Sequence, residues 1–238
     1  MRTGAIIFSR MSSSRLPGKA FADINGKTLI ERVLIRVKQV KLIDHVCIAT
    51  SKCKEDDAIA SFAASQGISL FRGSLNDVLS RAVNASIEYK YDNVLRVCGD
   101  RPFLDGSMYS KMIKIHTDEK YDITTNIFPR TVPPGLSGEI IRVETLKEIL
   151  RNTSDQIDRG HVTRYIYNNP ENFKIFNYNC NYSNEIKGLR LVVDDLNDLK
   201  RAKWISKRLV DNSKDFQTKQ IIKLASEFEK SNNLKKIL

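Results

Sequence analysis

The sequence predicts an α/β fold: a mainly parallel, partly mixed sheet with helices on both faces. Two observations predict it. Over the first two-thirds of the 238 residues, short apolar runs alternate with amphipathic stretches at helical spacing. Most of those stretches open on a residue suited to cap a helix.

Ala5–Phe8 reads as a buried first strand, followed by the loop Arg10–Lys19. Thr28 and Glu31 form a capping box, and Leu29, Ile30, Val33, Leu34, Val37 and Val40 make one apolar stripe behind it. His45–Thr50 is a second strand, and Glu55–Gln66 a helix stopped by Gly67. Ile68–Phe71 is a short third strand, and Asn76 or Asp77 caps a helix running to Glu88. Asn93–Cys98 is a strand ending at Gly99-Asp100, and Asp105 caps the next helix. Pro129, Pro133, Pro134 and Gly135 break regularity between residues 121 and 138. Val143–Leu150 and His161–Asn168 then read as helices, Phe173–Tyr178 as a strand, and Gly188–Val193 as the last strong strand. Two helices, Leu196–Asp211 and Gln217–Lys230, close the chain. The expected organisation is one domain over 1–238 with an inserted excursion at 121–180.

Hydrophobic residues are 41% and charged residues 28%, and no apolar stretch nears the roughly 20 residues of a membrane span. The first strand begins so early that a cleavable signal peptide has no room. Four cysteines show neither a CxxC pair nor zinc spacing, which suits a reducing cytoplasm. The net charge is +11, and residues 200–238 carry an excess of seven positive charges. Nucleic-acid binding is one reading of that tail, but it has no recognisable motif and no interleaved aromatic residues. Solvated helix surfaces, or an anionic small substrate, explain the charge better.

The chemistry concentrates in Arg10-Met-Ser-Ser-Ser-Arg-Leu-Pro-Gly-Lys19. This loop stands at the carboxyl end of the first strand, where open α/β sheets bind ligands. Three cations, three hydroxyls and free backbone N–H groups on one loop suit a polyphosphate. The glycines of a Walker A loop or of a Gly-x-Gly-x-x-Gly fingerprint are absent. Asp100 and Asp194 each follow a predicted strand, so a parallel sheet could bring them together. Two hard oxygen ligands beside a phosphate loop describe a Mg²⁺ site, although each Asp could instead cap the following helix, with Asp195 as the other candidate cap. Arg72-Gly73-Ser74, with Asp77 and Arg81, could approach a base or ribose, or could form a plain strand-to-helix turn. His161 could meet an anionic substrate or be a buried structural residue. No nucleophile for covalent catalysis is apparent.

These residues carry a resemblance. Arg10-Met-x-Ser-x-Arg-Leu-Pro-x-Lys19, Phe71-Arg-Gly-Ser-x-x-Asp-Val-Leu-x-Arg81 and Arg96-Val-x-Gly-Asp-x-Pro102 resemble the cytidylyltransferases that make CMP-activated sugar acids. The branch is that of spore coat polysaccharide biosynthesis protein F. Gly135-Leu136 with Glu139, His161-Val-Thr163 and Leu189-Arg190 with Val193-Asp194 support it, and the likeness runs from Ala5 to about Phe228. It implies a Rossmann-like nucleotidyltransferase fold and a CTP-dependent enzyme. Nucleotide would be held by Arg10, Met11, Ser12, Ser13, Arg15 and Lys19, with Arg72, Gly73 and Arg81 near the base and ribose. The catalytic groups would be Arg15, Lys19 and Asp100, and Asp100 with Asp194 would hold Mg²⁺. Glu139, His161 and Arg190 would face a sugar-acid acceptor, and the excursion would join a homodimer. Three positions depart from the branch: Phe8-Ser9 replaces Gln-Ala, Ser137 replaces an Asp, and Asp195-Leu196 replaces Thr-Pro. A glycosyltransferase of similar fold is the nearer rival. It calls for an Asp-x-Asp motif after a strand, which the sequence lacks. A nucleic-acid binder using the basic tail is the farther one.

Overall fold

The computed structural model describes residues 1–182, 186, 188–209 and 218–237. Seven strands form one sheet: β1 (Thr3–Phe8), β2 (His45–Ser51), β3 (Ser69–Gly73), β4 (Asn93–Cys98), β5 (Ile123–Thr125), β6 (Glu139–Arg142) and β7 (Ile175–Asn177). Their order is β3-β2-β1-β4-β6-β5-β7. The first four are mutually parallel, so β1 and β4 end side by side with Phe8 opposite Cys98. β6 runs antiparallel to β4 and β5, and β7 parallel to β5.

The larger helices are α1 (Leu29–Val37), α2 (Asp57–Ser65), α3 (Val78–Glu88), α4 (Gly106–Glu119) and α5 (Val143–Asn152). After the short α6 (Gln156–Gly160) and α7 (Arg164–Asn168) come α8 (Leu196–Arg208) and α9 (Thr218–Ile237). The caps are those the sequence predicts. Thr28 accepts from Glu31 N–H in a full capping box, and Asp77, Asp105 and Asp195 cap α3, α4 and α8. Alternation along β1 sends Ala5 and Ile7 to one face and Ile6 to the other. The first face packs on α1, α2, α4, α8 and α9, the second on α3, α5 and α7. The basic tail thus buries an apolar side, including Ile205, Ile221 and Ala225, against the core. No described helix is long and apolar enough to cross a membrane.

Two elements differ from expectation. The helix expected over His161–Asn168 opens only at Arg164, with His161 closing α6 instead, while residues 121–180 supply β5, β6 and β7 of the sheet. Of the predicted strand Gly188–Val193, residue 187 before it lies outside the described residues, and 188–193 form no strand. The free edge of β4 that this segment would need is taken by β6. Leu191 and Val193 are buried nonetheless, and single backbone bonds tie them to Pro134 O (2.7 Å) and Asp100 O (2.9 Å).

Candidate active site

The ends of β1 and β4 close the floor of a cleft of ≈ 810 Å³. They meet tightly: Gly99 N–H donates to Phe8 O at 2.8 Å, and a Cβ on Gly99 would stand 2.9 Å from that oxygen. Only glycine permits this approach. The loop after β1 then folds on itself. Met11 O accepts from Ser13 N–H (2.9 Å) and Gly18 N–H (3.0 Å), with Gly18 at φ +71°. Met11 N–H donates to the buried Asp56 at 2.7 Å, which pins the loop to the start of α2. Burial pushes the Asp56 carboxyl up, but the Ser51 hydroxyl and the Met11 N–H outweigh it and hold the group below its ordinary value.

This fold of the loop turns Arg10, Ser13, Ser14, Arg15 and Lys19 to the cleft. Met11 packs against the core instead, and Ser12 is exposed outside the cleft lining.

Asp100 and Asp194 come together although the second predicted strand is not one. The backbone bond from Val193 to Asp100 replaces sheet pairing, and Lys19 joins the carboxylates. Its ammonium donates to Asp194 Oδ1 (2.8 Å), Val193 O (2.9 Å) and Asp100 Oδ2 (3.2 Å). Arg15 approaches the other Asp194 oxygen at 3.1 Å. Asp195, not Asp194, caps α8, so Asp194 is left to the cleft. No group of three or more potential ligands occurs among the described residues. Two carboxylates converging on one cation, open to a cleft, still fit Mg²⁺, which takes one or two carboxylates together with substrate phosphates.

The wall formed by α3 and the body of β4 holds arginines. Arg81 is 3% exposed, lines the cleft beside Leu75, Asn76 and Val78, and its Nε and Nη1 have no hydrogen-bond partner among the described residues. Burial, then the nearby Arg10, lowers its pKa to about 10, so it stays charged at neutral pH. Arg96 also lines the cleft and donates Nη1 to Glu139. Glu139 is wholly buried and accepts from Tyr167 Oη at 2.7 Å. Burial pushes its carboxyl up, but Arg96 and Arg101 prevail and hold it below its ordinary value.

The remaining expected residues divide. His161 lines the cleft at the end of α6. Glu139 does not reach it, because its side chain is spent beneath Arg96. Arg190 lies behind Asp194, at 3.4 Å from that carboxylate and 3.3 Å from Asp198, outside the cleft lining. Arg72 turns away, to Ser51 O (2.9 Å), Cys53 O (2.8 Å) and Asp57 (2.6 Å). Gly73 does not line the cleft; a Cβ there would meet Phe71 and Arg81. Ser137 is buried, with Oγ accepting from Arg130 at 3.0 Å. Asp56 and Asn76 had no place among the expected site residues. The signal for Asn76 was its position before α3, whereas nothing in the sequence links Asp56 to the loop.

The chain is similar to known proteins. The cytidylyltransferase family model matches residues 4–236. Spore coat polysaccharide biosynthesis protein SpsF of Bacillus subtilis is 34% identical over 71% of this chain and 72% of its own. The solved structure of a cytidylyltransferase from Leptospira borgpetersenii superposes with a TM-score of 0.86 at 30% identity, covering 98% of this chain and 96% of that one. CMP:2-keto-3-deoxy-manno-octonic acid synthetase, solved in complex with CTP, shares the fold with a TM-score of 0.66 at 16% identity, covering 87% and 99%. The chain belongs to the cytidylyltransferase family and is a nucleotidyltransferase with that family's Rossmann-like fold.

Proposed function

We propose that the protein transfers the cytidylyl group of CTP to a sugar acid, releasing pyrophosphate and forming a CMP-activated precursor of a surface polysaccharide. The observation that carries this reading is the convergence of Arg15, Lys19, Asp100 and Asp194 below the basic loop. An acceptor oxygen attacks the α-phosphorus, the bond to the β-phosphate oxygen breaks, and the acceptor proton leaves to solvent. The difficulty is electrostatic, because an electron-rich oxygen must approach a polyanion. Arg10 and Ser13 hold the triphosphate, and Arg15 and Lys19 stabilise the pyrophosphate as it leaves. Lys19 and Arg15 exchange their aspartate partners for phosphate oxygens when CTP enters. Asp100 and Asp194 would hold Mg²⁺, which would supply charge neutralisation to the triphosphate. Leu75, Asn76, Val78 and Arg81 form the wall left for the base and ribose, and His161 faces the acceptor. The resemblance adds a homodimer joined through residues 121–180.

Asp100→Asn tests the assignment. Pyrophosphate release from CTP and a sugar acid should fall by at least about a thousandfold, as for loss of a metal ligand and its transition-state charge stabilisation. The melting temperature should move by only a few degrees. Near-normal turnover in this variant would contradict the role given to Asp100.

A further inference from the structure

We infer that Arg96 seats the carboxylate of the acceptor, and that Glu139 and Tyr167 are positioning residues that present it. The inference rests on the cytidylyltransferase reading above. Arg96 stands on β4 four residues before Asp100, and its neighbours Leu95 and Val97 belong to the core on the opposite face. Its side chain therefore rises on the α3–α5–α7 side of the sheet and reaches the cleft. Nη1 is spent on Glu139. Nε is buried without a partner, and Nη2 makes no hydrogen bond to any described residue. Of the Nε–Nη2 edge, Nε is closed off inside the protein, and Nη2 is left to donate one charge-assisted bond to a carboxylate in the cleft.

Glu139 cannot fill that edge. One of its oxygens receives Arg96 Nη1 and the other Tyr167 Oη, whose hydroxyl is also 3.0 Å from Thr125 Oγ1. The surroundings carry excess positive charge. Arg101 and Arg130 also lie near Glu139, and both spend donors on Ser137, at 2.6 Å to its carbonyl and 3.0 Å to its hydroxyl. Three guanidiniums around one carboxylate leave charge for an anion. A guanidinium at the cleft wall with one nitrogen left over, and with excess positive charge around it, suits an anionic ligand group. The anchor for Arg96 comes from β6 and α7, not from the loop after β1. The seat is thus separate from the cations that face the triphosphate, and it suits the second substrate.

The test uses the full-length protein, CTP with Mg²⁺, and two sugar acids, 3-deoxy-manno-octulosonate and N-acetylneuraminate, each also as its methyl ester. Binding of CTP is measured by calorimetry and turnover by pyrophosphate release. The wild type should use a free acid and reject the ester. Arg96→Met should raise KM for the acid by about thirtyfold, the scale of one lost charge-assisted bond, and should no longer separate acid from ester. Arg96→Lys should fall between the two. Glu139→Gln should raise KM by about tenfold with kcat little changed, since it acts through Arg96. CTP affinity should stay within about twofold in every variant, which also reports that each is folded. Should Arg96→Met not fold, Arg96→Lys and the wild-type comparison of acid with ester carry the test. A variant that keeps its preference for the free acid, or that loses CTP and acceptor affinity alike, overturns the inference. So does a wild type that binds CTP but releases pyrophosphate with neither acid. A wild type that binds no CTP overturns the cytidylyltransferase reading instead.

Discussion

Replacing Lys19 with methionine removes an ammonium that three oxygens share, at 2.8, 2.9 and 3.2 Å, while keeping most of the side-chain volume. The two aspartate oxygens on that nitrogen lie within about 6 Å of each other, and without it their charges repel. The side chains of Lys19, Asp100 and Asp194 are 16%, 24% and 20% exposed, so water screens them only in part. Each lost charge-assisted bond is worth about 1 kcal/mol in such a setting, and the unscreened repulsion about 1 kcal/mol more, with Arg15 still partnering Asp194. The expected loss is about 4 kcal/mol. For a chain of this size that lowers the melting temperature by roughly 8–16 °C. Scanning calorimetry or a fluorescence melt of Lys19→Met beside the wild type measures it. Millimolar Mg²⁺, against NaCl at equal ionic strength, should then raise the melting temperature of Lys19→Met more than that of the wild type. In the variant a divalent cation can replace the missing charge between the carboxylates without displacing an ammonium. A variant as stable as the wild type, or an equal Mg²⁺ shift in both proteins, would refute this reasoning.

Two further outcomes follow from the same geometry. His116 is buried on Thr124 (3.1 Å) and Asn93 (3.2 Å), and burial, then the nearby Arg142, lowers its pKa to about 4. The unfolded chain takes up this proton near pH 6.5 and the folded chain does not, so stability is full above that value and falls toward pH 4. Urea denaturation at pH 4.5 should show about 2–3 kcal/mol less stability from this group than at pH 7, a difference that His116→Gln should lack. Gly135 has φ +107°, and a Cβ there would stand 2.5 Å from the Leu191 carbonyl carbon, in the segment that delivers Asp194. Gly135→Ala should cost about 1–3 kcal/mol in backbone strain alone and should also weaken CTP binding in Mg²⁺, read by melting and by calorimetry. Unchanged CTP affinity would mean that this segment does not set the position of Asp194.

Local signals explain what was legible in the sequence. The Thr28–Glu31 box, the aspartate caps and the apolar stripe of α1 all act within a few residues, so α1 to α4 and β1 to β4 could be read directly. The basic loop was legible for the same reason: its charge, its glycine and its place after a strand are local facts. What escaped depends on partners far along the chain. β6 has four residues, and only its insertion between β4 and β5 makes it a strand. Leu189–Val193 has a strand's alternation, but β1 and β6 occupy both sides of β4, and the segment packs on the core without joining the sheet. Asp194 reaches Asp100 through one backbone bond and Lys19, not through sheet pairing. Arg72 and Arg81 sit in one motif, yet Arg72 is drawn to carbonyls at the end of β2 while Arg81 is buried at the cleft. Glu139 carries the right chemistry for a site residue, and only the fold shows that its side chain is buried beneath Arg96 and does not line the cleft.

The measurement to make first is the thermal stability of the purified protein with CTP, UTP, ATP and GTP, each with and without Mg²⁺. A ligand that binds only the folded chain stabilises it by mass action, by about 2.7 kcal/mol at a hundred times its dissociation constant. A shift of several degrees with CTP, larger with Mg²⁺ and small with the other three, is the predicted result. No shift with any nucleotide would contradict a triphosphate site built on Arg10, Arg15 and Lys19, and with it the proposed transfer from CTP.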